Sequence, residues 1–255
     1  MDTDKTARLS FRFTVEPYTE DATGCLSWST LGNQLLRSAG HHASANGFGY
    51  DQLISHNLVW VLSRLVVVMD ERPRTGQSYT ITTWVKSCFR QFTERLFEVA
   101  DANGRPMGHA YSIWAAIDYT TRQPIDLAEL PDGGFGEILL PSPEFPIAGA
   151  SRLRLRNAVQ QGERRMGFSD LDINGHVNSM RYLELCLDLF DADYYRSNPL
   201  HRIELHFANE TYCGDLLSVW HEPAADRQHL IEIKKDGAVV VRALLDSTSD
   251  NTPAP

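Results

Sequence analysis

Apolar side chains recur at a helical spacing in the second half of the chain. The recurring positions lie three or four residues apart, the period of a helix with one buried face, and they are Val177, Met180, Leu183, Cys186, Leu187 and Phe190. This pattern predicts a helix that begins at about residue 176. Polar residues crowd the positions just before it, where we look for chemistry below.

A second helix is predicted in the first half, over residues 30–46. Its apolar face carries Leu31, Leu35, Ala39 and Ala43, and Gly47 follows as a C-cap. Runs rich in Val, Ile, Thr and aromatic residues predict strands over 9–17, 57–69, 78–88, 92–101 and 107–118. The sequence Asp-Ala-Asn-Gly at 101–104 has the turn chemistry of a hairpin.

The second half repeats this order of elements. Strand-like runs follow its helix over 203–211, 216–222, 229–235 and 239–246, and the stretch from Gly214 resembles the stretch from Gly76. The repeat indicates an α+β protein of two tandem units, residues 1–130 and 151–255, each with one helix and an antiparallel sheet. Pro and Gly interrupt residues 131–150, which are predicted to be a linker.

Composition narrows the classes of function. No apolar run follows the polar first residues or approaches about 18 residues, so we expect a cytoplasmic protein without membrane contact. A formal net charge of −9 argues against a nucleic-acid partner. No C-x-x-C pair occurs, so we predict no metal, cofactor or disulfide framework from the four cysteines, Cys25, Cys88, Cys186 and Cys213.

The candidate chemistry precedes the second helix. Asp170, Asp172, Asn174 and His176 stand where unpaired backbone N–H groups and the positive end of a helix dipole are expected, which suits an oxyanion. Asp and Asn before an apolar run also serve as plain N-caps, which is our interpretation of Asp170. A cap needs one such residue, so we interpret the other three as functional.

The most basic stretch of this acidic chain lies just after the predicted linker. Only Glu163 opposes its five arginines, Arg152, Arg154, Arg156, Arg164 and Arg165. Two interpretations stay open: a solvated strand face, or a docking surface for an acidic partner.

The motif over residues 168–182 resembles a family signature. Its sequence, Phe-Ser-Asp-Leu-Asp-Ile-Asn-Gly-His-Val-Asn-Ser-Met-Arg-Tyr, is similar to that of the acyl-acyl-carrier-protein (acyl-ACP) thioesterases of plants and bacteria. The stretches 57–65 and 114–124 resemble the family's first-half patterns, so the likeness covers nearly the whole chain. It implies two tandem hotdog domains, each an antiparallel sheet around a central helix, with the acyl chain in the first and catalysis in the second.

The resemblance also implies the site and the reaction. By order along the chain, Glu210 matches the family's acidic residue on the strand after the catalytic helix, and it joins Asp172, Asn174 and His176. Plant members often carry Cys directly after that Glu, whereas Thr211 stands here. The implied reaction releases a free fatty acid and holo-ACP. The implied partner is therefore acyl carrier protein, which the five arginines would dock, and a homodimer is compatible with the sequence.

Our mechanistic hypothesis pairs His176 with Glu210 to position or deprotonate a water, with Asp172 holding that water or fixing Asn174. Asn174 and backbone N–H groups at the helix start would meet the carbonyl oxygen. An acyl-CoA thioesterase and a non-catalytic acyl-binding module stay open as alternatives. A hotdog dehydratase is disfavoured, because the chain lacks a Gly-His-Phe-Pro-like segment. The acyl chain length and the group that takes the proton stay open as well.

Overall fold

A computed structural model describes residues 6–130, 135–225 and 227–248 of the chain. Its contacts divide the protein into two compact units. The N-terminal unit comprises the chain up to Leu65 together with Glu71–Gly149, and the C-terminal unit comprises Val66–Asp70 together with the chain from Ala150. In the part of the chain that the structure describes, no helix combines the length and apolar character needed to cross a bilayer.

The N-terminal unit pairs a long helix with an antiparallel sheet in the strand order β1-β3-β4-β5-β2. Its strands are β1 Leu9–Thr14, β2 Leu58–Met69, β3 Ser78–Phe89, β4 Phe92–Asp101 and β5 Pro106–Asp118, and its helices are α1 Trp28–Ala45 and α2 Tyr50–Ile54. Single 3₁₀ turns cover Pro17–Thr19 and Leu127–Glu129. The final residues of β2, from Val66, belong to the C-terminal unit.

The C-terminal unit has the same plan. After β6 Val159–Arg165 come a 3₁₀ turn at Phe168–Asp170, α3 Ser179–Leu187, α4 Ala192–Ser197, β7 Arg202–Phe207, β8 Leu216–Ala225, β9 Gln228–Lys235 and β10 Ala238–Asp246. The strand order is β7-β10-β9-β8-β6, with the end of β2 beside β7. The predicted order of helix and strands is therefore present in both halves.

Side-chain caps set the starts of both long helices. Ser27 accepts from the N–H of Thr30 at 3.2 Å, so α1 begins at Trp28 and not at the predicted Thr30. Asn178 accepts from the N–H of Met180 at 2.8 Å, so α3 begins at Ser179. The prediction of a start at about residue 176 is wrong by three residues, because residues 171–177 fold as a hairpin instead.

Most of the predicted linker belongs to the N-terminal unit. Residues 131–134 lie outside the described residues. Within 135–149, Phe135 and Ile138 are buried and pack in an apolar cluster with Phe48, Val85 and other residues of that unit. This segment has no regular period, but its apolar side chains still remove surface from water.

Candidate active site

A tight hairpin presents the motif predicted to carry chemistry. Leu171 and Val177 face each other across it, the N–H of Asp172 donates to the carbonyl of His176 at 2.8 Å, and that of Gly175 donates to the carbonyl of Asp172 at 3.0 Å. Gly175 has a φ of 77°, a left-handed conformation that glycine adopts without strain. The hairpin ends two residues before α3 and fixes the backbone of the motif.

The carboxylate of Asp172 holds this turn together. Its Oδ1 accepts from the N–H of Asn174 at 2.8 Å and of His176 at 3.2 Å. Among the described residues, no donor reaches its other oxygen, Oδ2. Asp172 is half-buried, and only its Oδ1 accepts hydrogen bonds from the hairpin.

Asp170 has a structural task that differs from the predicted one. It is 4% exposed, its Oδ2 accepts from the N–H of Gly167 at 2.7 Å, and its Oδ1 accepts from Arg164 at 3.0 Å. It therefore closes the 3₁₀ turn before the hairpin. The interpretation of Asp170 as the cap of the helix is wrong, since Asn178 caps α3.

His176 and Glu210, separated by 33 residues of sequence, meet beside the hairpin. His176 Nδ1 lies 3.5 Å from Glu210 Oε1, and their side chains are 21% and 30% exposed. The imidazole packs edge-on against Tyr212, with ring centroids 5.2 Å apart. A carboxylate in this place can hold the imidazole in one orientation and one tautomer.

Glu210 reaches His176 because the chain leaves the sheet before it. The strand β7 ends at Phe207, and the N–H groups of Ala208 and Asn209 both donate to the carbonyl of Val240. The N–H of Val177 then donates to the carbonyl of Thr211 at 2.8 Å, which joins this segment to the hairpin. Glu210 was predicted on a regular strand, and this placement is wrong.

Five backbone N–H groups just before α3 already donate hydrogen bonds within the loop. Asn174 and His176 donate to Asp172 Oδ1, Gly175 to the carbonyl of Asp172, Val177 to that of Thr211, and Asn178 to that of Asp170. The oxyanion donors expected among these groups are thus already used. Asn174 itself is exposed at the tip of the hairpin.

Comparison with known proteins matches each half of the chain to a domain of one protein family. Models of the acyl-ACP thioesterase N-terminal and C-terminal domains match residues 7–130 and 156–246. An acyl-ACP thioesterase from Bacteroides thetaiotaomicron of known structure is 37% identical, with a TM-score of 0.88, over 96% of this chain and 99% of that one. The chain belongs to the acyl-ACP thioesterase family.

More distant members of the family agree. The 12:0-ACP thioesterase from Umbellularia californica is 19% identical with a TM-score of 0.82, over 94% of this chain and 96% of that one, a likeness of fold. A chloroplastic palmitoyl-ACP thioesterase of Arabidopsis thaliana is 27% identical over 94% of this chain. The chain spans 64% of that relative and 52% of the one from Gossypium hirsutum. The predicted α+β fold of two tandem hotdog units is confirmed.

Of the two thiols near the thioesterase motif, Cys186 is unsuited to act as a nucleophile. Cys186 is fully buried in α3, and burial raises the pKa of its thiol. Cys213 is exposed and lies beyond Thr211, on the segment that leads into β8. The described residues also hold no cluster of three or more His, Cys, Asp or Glu that could bind a metal.

One buried contact next to the site could not be predicted from any sequence pattern. The hydroxyl groups of Tyr182, on α3, and Thr211 share a hydrogen bond of 2.7 Å, and both residues are almost fully buried. Because Thr211 follows Glu210 directly, this bond ties the segment that carries the carboxylate to α3. A tyrosine and a threonine with these roles have no characteristic spacing along a chain.

Proposed function

We propose that the protein hydrolyses the thioester of fatty acyl-ACP, releasing a free fatty acid and holo-ACP. The contact between His176 and Glu210 carries the proposal, because it places an imidazole and a carboxylate together beside Asp172 in the half that the family's C-terminal domain matches. Family membership supports the chemistry, and the names of the relatives support the carrier-protein substrate.

The proposed reaction begins with a water deprotonated at the His176–Glu210 pair. If Nδ1–H of the imidazole faces the Glu210 carboxylate, Nε2 carries the lone pair that takes the proton. The water oxygen attacks the thioester carbonyl carbon, and the C–S bond breaks as the tetrahedral intermediate collapses. A thiol with a pKa near 8.5 leaves readily and needs little acid assistance.

Asn174 is the proposed donor to the carbonyl oxygen. Its exposed position at the hairpin tip lets a substrate reach it, and the backbone N–H groups of residues 174–178 already donate within the loop. A well-placed donor of this kind contributes about 3 kcal/mol to the transition state. Asp172, through Oδ1, keeps the tip in the shape that positions Asn174.

Alanine substitution tests the assignment. His176→Ala and Glu210→Ala should each lower kcat for acyl-ACP hydrolysis roughly 10²–10⁴-fold, as expected for loss of acid–base catalysis. His41→Ala, an exposed histidine on α1, is the matched control and should retain full activity. Normal turnover by a correctly folded His176→Ala protein would remove the assignment.

The carrier group requires its own test, because an acyl-CoA thioesterase would use the same residues. One acyl group should be offered both on carrier protein and on CoA. A kcat/KM at least tenfold higher for the carrier-protein substrate supports the proposal. Equal values would favour the acyl-CoA alternative, and binding of both without hydrolysis would favour the acyl-binding module.

The proposed docking surface for the acidic carrier protein is the basic stretch. Arg152, Arg154 and Arg156 are exposed and precede β6. The other two support the fold as well: Arg164 pairs with Asp170, and Arg165 donates to the carbonyl of Gly214 at 2.6 Å.

Charge reversal tests this surface without disturbing the site. Arg152→Glu combined with Arg154→Glu should raise KM for acyl-ACP several-fold, most at low salt, and leave acyl-CoA hydrolysis unchanged. Arg12→Glu, at an exposed position of β1, is the control. An equal effect on both substrates would contradict docking.

We also propose a cytoplasmic location. All four cysteines are free thiols, which suits a reducing compartment. Cell fractionation tests this, and recovery in an exported fraction would contradict it. A homodimer without membrane contact is proposed too, and light scattering and vesicle sedimentation test these two points.

A further inference from the structure

The N-terminal unit contains a copy of the active-site hairpin. In each unit a 3₁₀ turn leads into a two-stranded hairpin that ends at a helix cap, and the same backbone bonds recur. The N–H of Asp21 donates to the carbonyl of Cys25 and that of Gly24 to the carbonyl of Asp21, as Asp172 and Gly175 do in the other unit. Asp21 Oδ1 accepts from the N–H of Thr23 at 2.9 Å, as Asp172 Oδ1 does from Asn174.

The segment that crosses each hairpin also matches. The N–H of Leu26 donates to the carbonyl of Pro73, as that of Val177 donates to the carbonyl of Thr211. The N–H of Gly76 donates to the carbonyl of Val15, as that of Gly214 donates to the carbonyl of Met166. Asp21, Thr23, Cys25 and Leu26 therefore correspond to Asp172, Asn174, His176 and Val177, and Arg72 corresponds to Glu210.

Arg72 shows what the hairpin binds when the residue at this position, the counterpart of Glu210, carries a hydrogen-bond donor. Its Nη1 donates to Asp21 Oδ2 at 2.5 Å and to the carbonyl of Leu26 at 2.7 Å, and its Nη2 donates to Thr23 Oγ1 at 3.0 Å. Three acceptors thus converge on one guanidinium group. The side chain is 10% exposed.

The C-terminal hairpin keeps these acceptors but lacks the arginine. Asp172 Oδ2 and the carbonyl of Val177 are the counterparts of the two atoms that bind Arg72 Nη1. Glu210 has a carboxyl group in place of the guanidinium and approaches His176 instead. A water molecule can donate two hydrogen bonds and can therefore bind both acceptors at once.

We propose that Asp172 Oδ2 and the Val177 carbonyl bind the hydrolytic water, at the position that corresponds to Arg72 Nη1 in the N-terminal unit. The inference rests on the proposed thioester hydrolysis and adds the atoms that hold the nucleophile. Each O–H of the water is directed at one acceptor, so a lone pair is directed away from both. That lone pair forms the bond to the thioester carbon and the C–S bond breaks, while the proton directed at Asp172 Oδ2 passes through that carboxylate to the His176–Glu210 pair.

Transplanting the arginine tests the geometry independently of activity. In Glu210→Arg, the new guanidinium should bind Asp172 as Arg72 binds Asp21, and raise Tm by about 2–4 °C over the matched Glu210→Gln variant, the shift that corresponds to about 1 kcal/mol in a protein of this size. With Asp172→Asn present in both backgrounds, the difference should disappear. No gain, or a gain that persists with Asp172→Asn, would overturn the proposed acceptor pair.

A soluble guanidinium tests the link to the water. Methylguanidinium chloride, added to wild-type protein at saturating acyl-ACP, should lower kcat, whereas equal tetramethylammonium chloride, which has no N–H, should not. Equal inhibition by both salts would overturn the water assignment. A wild-type protein that hydrolyses no thioester would refute the proposed function, and the Tm comparison would still report on the acceptor pair.

Discussion

Asp172 divides two tasks between its two carboxylate oxygens. Oδ1 holds the hairpin, and Oδ2 is the proposed acceptor for the hydrolytic water. Asp172→Asn can keep the Oδ1 acceptor while removing the negative charge. We therefore expect Tm to change by only a few degrees and kcat for acyl-ACP hydrolysis to fall at least 10²-fold.

Asp172→Ala is the companion variant, since it removes both oxygens. It should lose activity and also about 1 kcal/mol of stability, the usual cost of removing a side-chain acceptor from a turn or cap. Chemical denaturation measures the second effect. Asp172→Asn and Asp172→Ala with equal losses of stability would show that Oδ1 does not hold the hairpin.

The contact between His176 and Glu210 could be predicted from the sequence and the family likeness, but the hydrogen bonds around it only in part. Asp172, Asn174 and His176 lie within one short motif, and a family likeness supplied Glu210. The structural task of Asp170 could not be read, because it depends on Arg164 from β6 and on a 3₁₀ turn. The counterpart relation between Glu210 and Arg72 was also missed, because it is visible only in matching backbone bonds.

At the level of elements, the Tyr182–Thr211 hydrogen bond ties the segment after β7, which carries Glu210, to α3. Thr211→Val removes one partner and leaves a buried tyrosine hydroxyl without its hydrogen bond, which should cost about 1–3 kcal/mol of unfolding free energy. It should also lower kcat, since Glu210 would be held less firmly against His176. Denaturation and steady-state kinetics measure the two effects.

Two further variants separate this bond from simple packing. Thr211→Ser keeps the hydroxyl and should restore kcat. The double variant Tyr182→Phe/Thr211→Val removes both polar groups and should recover much of the stability, though not the kcat. Full activity in Thr211→Val would show that the bond does not position Glu210.

The counterpart hairpin in the N-terminal unit predicts a contrasting result for Arg72. Arg72→Gln breaks the ion pair with Asp21 and the cation–π contact with Trp28, at 5.0 Å from the ring centroid. Because the arginine is largely buried, we expect a loss of about 2 kcal/mol of stability. The kcat at a temperature well below Tm should be unchanged, because the residue lies in the hairpin that lacks the His–Glu pair.

Arg74→Gln is the control, since Arg74 is exposed two residues along the same segment. Its stability should stay within about 0.5 kcal/mol of wild type. If Arg72→Gln lowered kcat without lowering stability, the N-terminal hairpin would have more than a structural role.

The long elements could be predicted from the sequence, and the short ones could not. The helix α1 and the strands β3, β4 and β5 have clear periods and were predicted to within a few residues. The helices α2 and α4 span one or two turns, too few to show a period. All residues of β6 are exposed, so no alternation marks it. The end of β7 is set by bonds to Val240 and to the hairpin, which no local pattern reveals.

On the scale of the whole molecule, each unit buries one ionisable group whose protonation at low pH destabilises the folded state. His42, on α1, is fully buried, and burial with the nearby charge of Arg95 lowers its pKa from 6.5 to about 4. Glu204, on β7, is 1% exposed. Burial would raise its pKa, but the His206 imidazole, whose Nε2 lies 3.5 Å from Oε2, the hydrogen bond from the Ser151 N–H and the charge of Arg202 outweigh this and lower it to about 2.

Both shifts make the folded state lose stability as the pH falls. The unfolded chain binds a proton at His42 below about pH 6.5, whereas the folded protein binds it only near pH 4, so stability declines through that window. The same reasoning gives Glu204 a window from about pH 4.5 down to pH 2. Each shift corresponds to about 3 kcal/mol at most.

Two variants should remove these windows separately in measurements of unfolding free energy against pH. His42→Gln can still donate to the carbonyl of Ala7 and accept from Arg95, so it should flatten the profile between pH 6.5 and 4. Glu204→Gln should lower stability at neutral pH, because Arg202 loses its ion pair, and flatten the profile below pH 4.5. Glu163→Gln, exposed on β6, should leave both windows intact. An unchanged slope between pH 6.5 and 4 in His42→Gln would show that another group controls the acid sensitivity of the fold.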